Sequence, residues 1–122
     1  MVARLERMAG EYDALICPVS ALPALRHGTA ARLVLAAVPC MLANLLDLPA
    51  GVVPVTRVHP DEEVGRGASA DPVVQAAIEN ERGSAGLPVG VQVIGLDTAP
   101  GRGEATVLEI MRLIEKPELL SS

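Results

Sequence analysis

Aromatic residues are nearly missing from this 122-residue chain: Tyr12 stands alone, with no Phe and no Trp. A core built only from Leu, Val, Ile, Met and Ala lacks the side chains that bury most area, which is unusual for a free-standing domain and points to part of a larger one. Lysine is almost as scarce, Lys116 being the only one, and ten bases against fifteen acids leave a net charge of −5. Without a basic patch or interleaved aromatics, no nucleic-acid partner is expected. The two cysteines, Cys17 and Cys40, sit in apolar surroundings without metal-ligand spacing. They read as buried free thiols of a reducing, cytoplasmic compartment. No signal peptide is visible, because charges interrupt Met1 to Arg7. The longest apolar stretch, Leu33 to Leu46, contains Pro39 and Asn44 and is too short to span a bilayer, so a soluble chain without a transmembrane segment is expected.

What is present is a phrase used twice. Leu48-Pro49-Ala50-Gly51-Val52 and Leu87-Pro88-Val89-Gly90-Val91 both read Leu-Pro-small-Gly-Val and then continue into β-branched residues. Leucine before proline is pushed towards extended backbone, the glycines permit close approach, and the valines favour a pleated surface. Two buried strands, Val52–Val55 and Val89–Ile94, are expected at the centre of one sheet. Ala14–Cys17 reads as a third short buried strand, stopped by Pro18.

Helical spacing recurs between the strands. Val2, Leu5, Met8 and Ala9 suggest a helix near the start. Thr29 is placed to cap a helix over about residues 31–46, in which Pro39 either makes a kink or begins a second helix. Asp71-Pro72 is a cap followed by proline at the first helical position, with Val73, Val74, Ala77 and Ile78 as the apolar stripe. A last helix, about 103–116, turns Val107, Ile110, Met111 and Ile114 to one side and is stopped by Pro117. The 57–70 stretch reads as a polar surface connection within a single segment covering residues 1–122. Strand and helix alternate, an α/β order. Three strands alone would leave long apolar edges, so more chain is expected beside them.

At Asn44-Leu45-Leu46-Asp47-Leu48-Pro49-Ala50-Gly51-Val52-Val53-Pro54-Val55-Thr56 the chain resembles the C-terminal part of amidase-signature hydrolases, and within them the fatty-acid amide hydrolase branch. Tyr12-Asp13-Ala14-Leu15-Ile16-Cys17-Pro18 and Gly86-Leu87-Pro88-Val89-Gly90-Val91-Gln92 resemble two further segments of that family in the same order, and the closing helix follows at a suitable distance. The resemblance implies the C-terminal portion of a mixed sheet flanked by helices, incomplete on its own. It also implies a parent that hydrolyses acyl or fatty-acid amides with a serine nucleophile, a second serine and a lysine, without a cofactor or metal, all three residues lying before the part represented here. No Gly/Ser-rich signature stretch occurs in this chain. The expectation is therefore an amidase-family chain with no catalytic residue of its own.

Residues that could be mistaken for replacements have plainer readings. Gly83-Ser84-Ala85-Gly86 lacks the Gly-x-Ser-x-Gly pattern of a nucleophile elbow, so Ser84 reads as a loop residue. His27 and His59 read as surface histidines, and Asp61-Glu62-Glu63 as a solvated acidic run rather than a cation site. The resemblance further implies that the helix before Asn44 lines an acyl channel, with Val34, Ala37 and Met41 facing it. Their spacing of three and four also places them on one helical face. Plain core packing is the alternative for each. Three kinds of molecule fit these readings: a fragment inactive alone, a subunit that assembles with a separately encoded N-terminal amidase part or with itself, and a non-catalytic acyl-binding domain. The DNA upstream of Met1 would separate the first two.

Overall fold

The computed structural model describes residues 10–115; the helix expected at Val2–Ala9 and the stop at Lys116-Pro117 lie outside the described residues. Three strands, β1 (Ala14–Pro18), β2 (Ala50–Arg57) and β3 (Pro88–Gly95), form a sheet in the order β1-β3-β2. Three α-helices, α1 (Val38–Leu46), α2 (Pro72–Glu81) and α3 (Arg102–Glu115), alternate with the strands along the chain. The α/β class expected from the alternation is the one observed. Both neighbouring pairs are antiparallel, with β3 inserted between β1 and β2.

The two Leu-Pro strands are neighbours, as expected, but they are not equally buried. β3 is the central strand, and Gln92, Val93 and Ile94 are fully enclosed. β2 is an edge, and only Val53 of its valines is buried. β1 is also an edge rather than a buried strand, and its Ile16 is 53% exposed.

The register separates the two faces. Gly51 pairs with Val93, so Gly51, Val53, Val93 and Gly95 share one face, while Gln92 and Ile94 point to the other. α3 lies on the first face, over β2 and β3. A side chain at Gly51 would run into Met111, and a Cβ on Gly95 would stand 2.7 Å from the Gly103 carbonyl oxygen, so the glycines allow this helix to sit close. Val107 is buried there with Ile110, Met111 and Ile114 half-buried, the stripe expected for this helix. α1 lies on the opposite face, towards β1, where Gln92 Nε2 donates to the Pro39 carbonyl at 3.1 Å and approaches Cys17 Sγ at 3.4 Å.

The expected helix over residues 31–46 is divided. A 3-10 turn, Val34–Ala37, runs into α1, and Pro39 occupies the first turn of α1, where its missing N–H costs nothing. Proline thus begins a second helix rather than kinking a single one. Thr29 caps neither: its hydroxyl donates to the Arg26 carbonyl within a turn, and the residues preceding the two helical pieces are Leu33 and Ala37. At Asp71 the expected cap is present, Oδ1 accepting from Val73 N at 2.8 Å. The buried face of α2 is Ala76, Ala77 and Asn80, whereas Val73 is exposed, so the stripe is turned from the expected one. The reason is the partner: α2 packs on Leu33 with Leu22 and Leu25, and Asn80 Oδ1 accepts from Arg26 N.

Candidate functional site

A run of exposed apolar side chains without a partner among the described residues follows the 3-10 turn and α1. Val34, Leu35, Val38, Met41 and Leu45 are all more than half exposed, Leu45 reaching 77%. Local sequence explains the direction of this stripe. Ala36 and Ala43 are buried against the molecule, so Val34, Val38, Met41 and Leu45, spaced four, three and four apart, face away from it. Met41 lies with Val38, Pro39, Leu42, Asn44 and Leu45 on a depression of about 710 Å³. α1 ends at Asp47, whose left-handed backbone (φ 53°) lets Leu48 N reach the Ala43 carbonyl at 3.0 Å and turns the chain into Leu48-Pro49 and β2.

The three residues singled out from the sequence are not gathered at one depression. Met41 belongs to the one just described, Val34 to a second of about 290 Å³ beside Leu22, Leu33 and Ala77, and Ala37 is half-buried between them. Val38 and Leu45 extend the apolar face and were missed. Their signal was present in the same four-and-three spacing, one step on either side of Met41.

None of the reactive side chains among the described residues is arranged for attack. Ser84 is a loop residue, in the turn after α2, but a buried one at 2% exposure, and its hydroxyl has no hydrogen-bond partner among the described residues. Without a base in contact the hydroxyl is not activated. His27 and His59 are exposed. Glu63 is not simply solvated: its two carboxylate oxygens accept from Ala85 N at 2.9 Å and Gly83 N at 3.1 Å, and these bonds hold its carboxyl below the usual glutamate range, with partial desolvation opposing them. Cys17 and Cys40 are free and half-buried. No cluster of three His, Cys, Asp or Glu side chains fit to hold a metal occurs among the described residues.

The Amidase family pattern matches residues 1–101, which include the 3-10 turn, α1 and all three strands. The chain belongs to the amidase family. Fatty acid amide hydrolase 1 of Caenorhabditis elegans is 37% identical over 111 residues, 88% of this chain but 19% of that protein. Fatty-acid amide hydrolase 1 of Sus scrofa is 40% identical over 83 residues, 62% of this chain and 13% of that protein. The chain therefore spans about a fifth or less of the length of these relatives. No solved structure matches at a significant level. The described fold is a part of an amidase domain, and no helix among the described residues is long and apolar enough to cross a membrane.

Proposed function

We propose that this chain is the C-terminal part of an amidase-type hydrolase of acyl or fatty-acid amides. The observation that carries the reading is the exposed apolar face of α1 directly before Asn44–Thr56, in a chain whose curated relatives are fatty acid amide hydrolases. In this reading the nucleophilic serine, the second serine and the lysine belong to the preceding part of the parent enzyme, on the same polypeptide or on a separate subunit. This chain then supplies a wall of the substrate channel, with Val34, Ala37 and Met41 facing the acyl chain. Each methylene taken from water by such a wall contributes about 0.8 kcal/mol, which favours long acyl groups over short ones. The reaction needs no metal or cofactor in this scheme: attack by an activated serine, release of the amine, and hydrolysis of the acyl-enzyme. The free thiols support a reducing, cytoplasmic setting.

The test uses a chimera in which this chain replaces the matched stretch of the Caenorhabditis elegans relative. Met41→Asp in that chimera sets an unpaired charge into the channel, a heavy desolvation cost. KM for long-chain amides should rise much more than KM for short ones. Equal effects on both would assign Met41 to packing alone.

A further inference from the structure

Around the connection between β2 and α2 the charged side chains have partners, and the exceptions lie together. Glu63 accepts from the Gly83 and Ala85 amides, Glu62 Oε2 accepts from His59 N, and Arg57 donates to the Gly86 carbonyl at 2.7 Å. Arg66 Nε donates to Glu81 Oε1 at 2.7 Å, which leaves Glu81 Oε2 buried and without a partner among the described residues. Ser84 Oγ is in the same condition, on a residue only 2% exposed. Ser84 N donates to the Glu81 carbonyl at 3.1 Å, so both side chains start from one turn. A buried polar atom without a partner carries its full desolvation cost, and a charged one the most. Both residues line a cavity of about 440 Å³, bounded also by Glu63, Gly65 and Arg66. It sits at the Arg57–Pro88 end of the β2–β3 pair, the opposite end of β3 from Asp13 and Leu96.

The two unmatched atoms specify what the cavity takes. A carboxylate oxygen only accepts, and a hydroxyl accepts and donates, so the occupant must bring N–H or O–H donors. Charge selects among donors: Glu62, Glu63 and Glu81 line the cavity against Arg57 and Arg66, an excess of one negative charge. A cation fits there and an anion does not. An ammonium group carries three donors on one compact nitrogen, enough to reach Oε2 and Oγ together. Pro23, Val58 and Val89 supply an apolar stretch of wall for a short alkyl tail. Arg66 covers Glu81 and is placed to leave it. Its side chain is 43% exposed, and a side chain added at Gly65 or Gly67 would meet nothing within 4 Å. An ion pair exposed on one side is weakly held and open to competition.

We propose that this cavity binds a small primary amine in its ammonium form, held by Glu81 and Ser84, with Arg66 as the tethered cation that the amine displaces from Glu81. None of these residues belongs to the α1 face, so the site stands or falls apart from the acyl-channel reading. The experiment titrates the full chain with n-butylammonium chloride at constant ionic strength, followed by saturation-transfer signals on the amine. Binding should saturate with a Kd on the order of 1 mM. Tetramethylammonium has the same charge and no N–H, and should bind at least about tenfold more weakly. Ser84→Ala should weaken butylammonium about fivefold, and Glu81→Gln should remove saturable binding. Arg66→Ala, an exposed change that removes the competing cation, should tighten it about tenfold. Where Glu81→Gln fails to fold, Ser84→Ala and Arg66→Ala still decide. No saturable binding by the parent and Arg66→Ala chains up to about 50 mM would mean that water alone fills the cavity, and would overturn the proposal. Equal binding of the two cations would also overturn it, as would an equal loss in Glu79→Gln, since either result reduces the effect to general attraction by an acidic surface.

Discussion

Asp47 is the one non-glycine residue of the described chain with positive φ, and it stands at the junction between the apolar helix and the edge strand. An L-residue other than glycine costs about 1 kcal/mol or more in this conformation, reduced for Asp by local hydrogen bonding. Asp47→Gly should therefore leave the structure unchanged and raise the unfolding free energy by up to about 1 kcal/mol, read from denaturant midpoints. Asp47→Val should lower it. If the two variants match the parent, the left-handed turn is not the stable state of this junction. Gln92 is the other residue whose placement decides much. Fully buried in the central strand, it spends its amide on the Pro39 carbonyl and so couples the helix carrying the apolar face to the sheet.

Among the elements, the 59–71 connection is the least regular, yet it is held at defined points. Arg66 pairs with Glu81 at 2.7 Å, His59 N donates to Glu62 Oε2 at 2.9 Å, and Glu63 receives the two amides of the turn between α2 and β3. A carboxyl held below its ordinary range contributes stability above that range and loses it as pH falls through the lowered value. The amide resonances of Ala85 and Gly83 should therefore titrate together, with an inflection below the ordinary glutamate value. In Glu63→Gln that titration should vanish while the rest of the spectrum persists. Amides that ignore pH in the parent chain would show that the carboxylate does not hold this turn. The bonds are exposed, so the effect belongs to the local order of the connection rather than to global stability.

At the scale of the whole molecule, the described chain leaves Leu35 and Leu45 more than 70% exposed and two sheet edges uncovered. Free in solution, such surfaces drive association. Sedimentation at tens of micromolar, an order-of-magnitude choice, should show concentration-dependent oligomers. Leu35→Lys/Leu45→Lys should shift the distribution towards monomer without loss of secondary structure. A parent chain that sediments as a monomer across the range would mean that its apolar face is covered within one molecule.

The sequence by itself determined the elements whose cause is local. Asp71-Pro72 starts a helix because a side-chain acceptor and a fixed φ act within one turn. The Leu-Pro-x-Gly-Val phrases become strands because proline and β-branching bias each residue independently of what surrounds it. The family was legible for the same reason, in Asn44–Thr56 and Gly86–Gln92. Burial was not. Nothing in the two similar phrases tells which is enclosed, since that depends on β1 pairing with β3 from more than 70 residues away. Thr29 was misread because a hydroxyl with the right neighbours caps only if a helix follows, and the chain turns instead. The stripe of α2 rotated because its partner is Leu33, not the sheet. Which apolar faces are core and which are left for a partner was decided by the tertiary structure alone, since periodicity marks an apolar face but carries no record of what covers it.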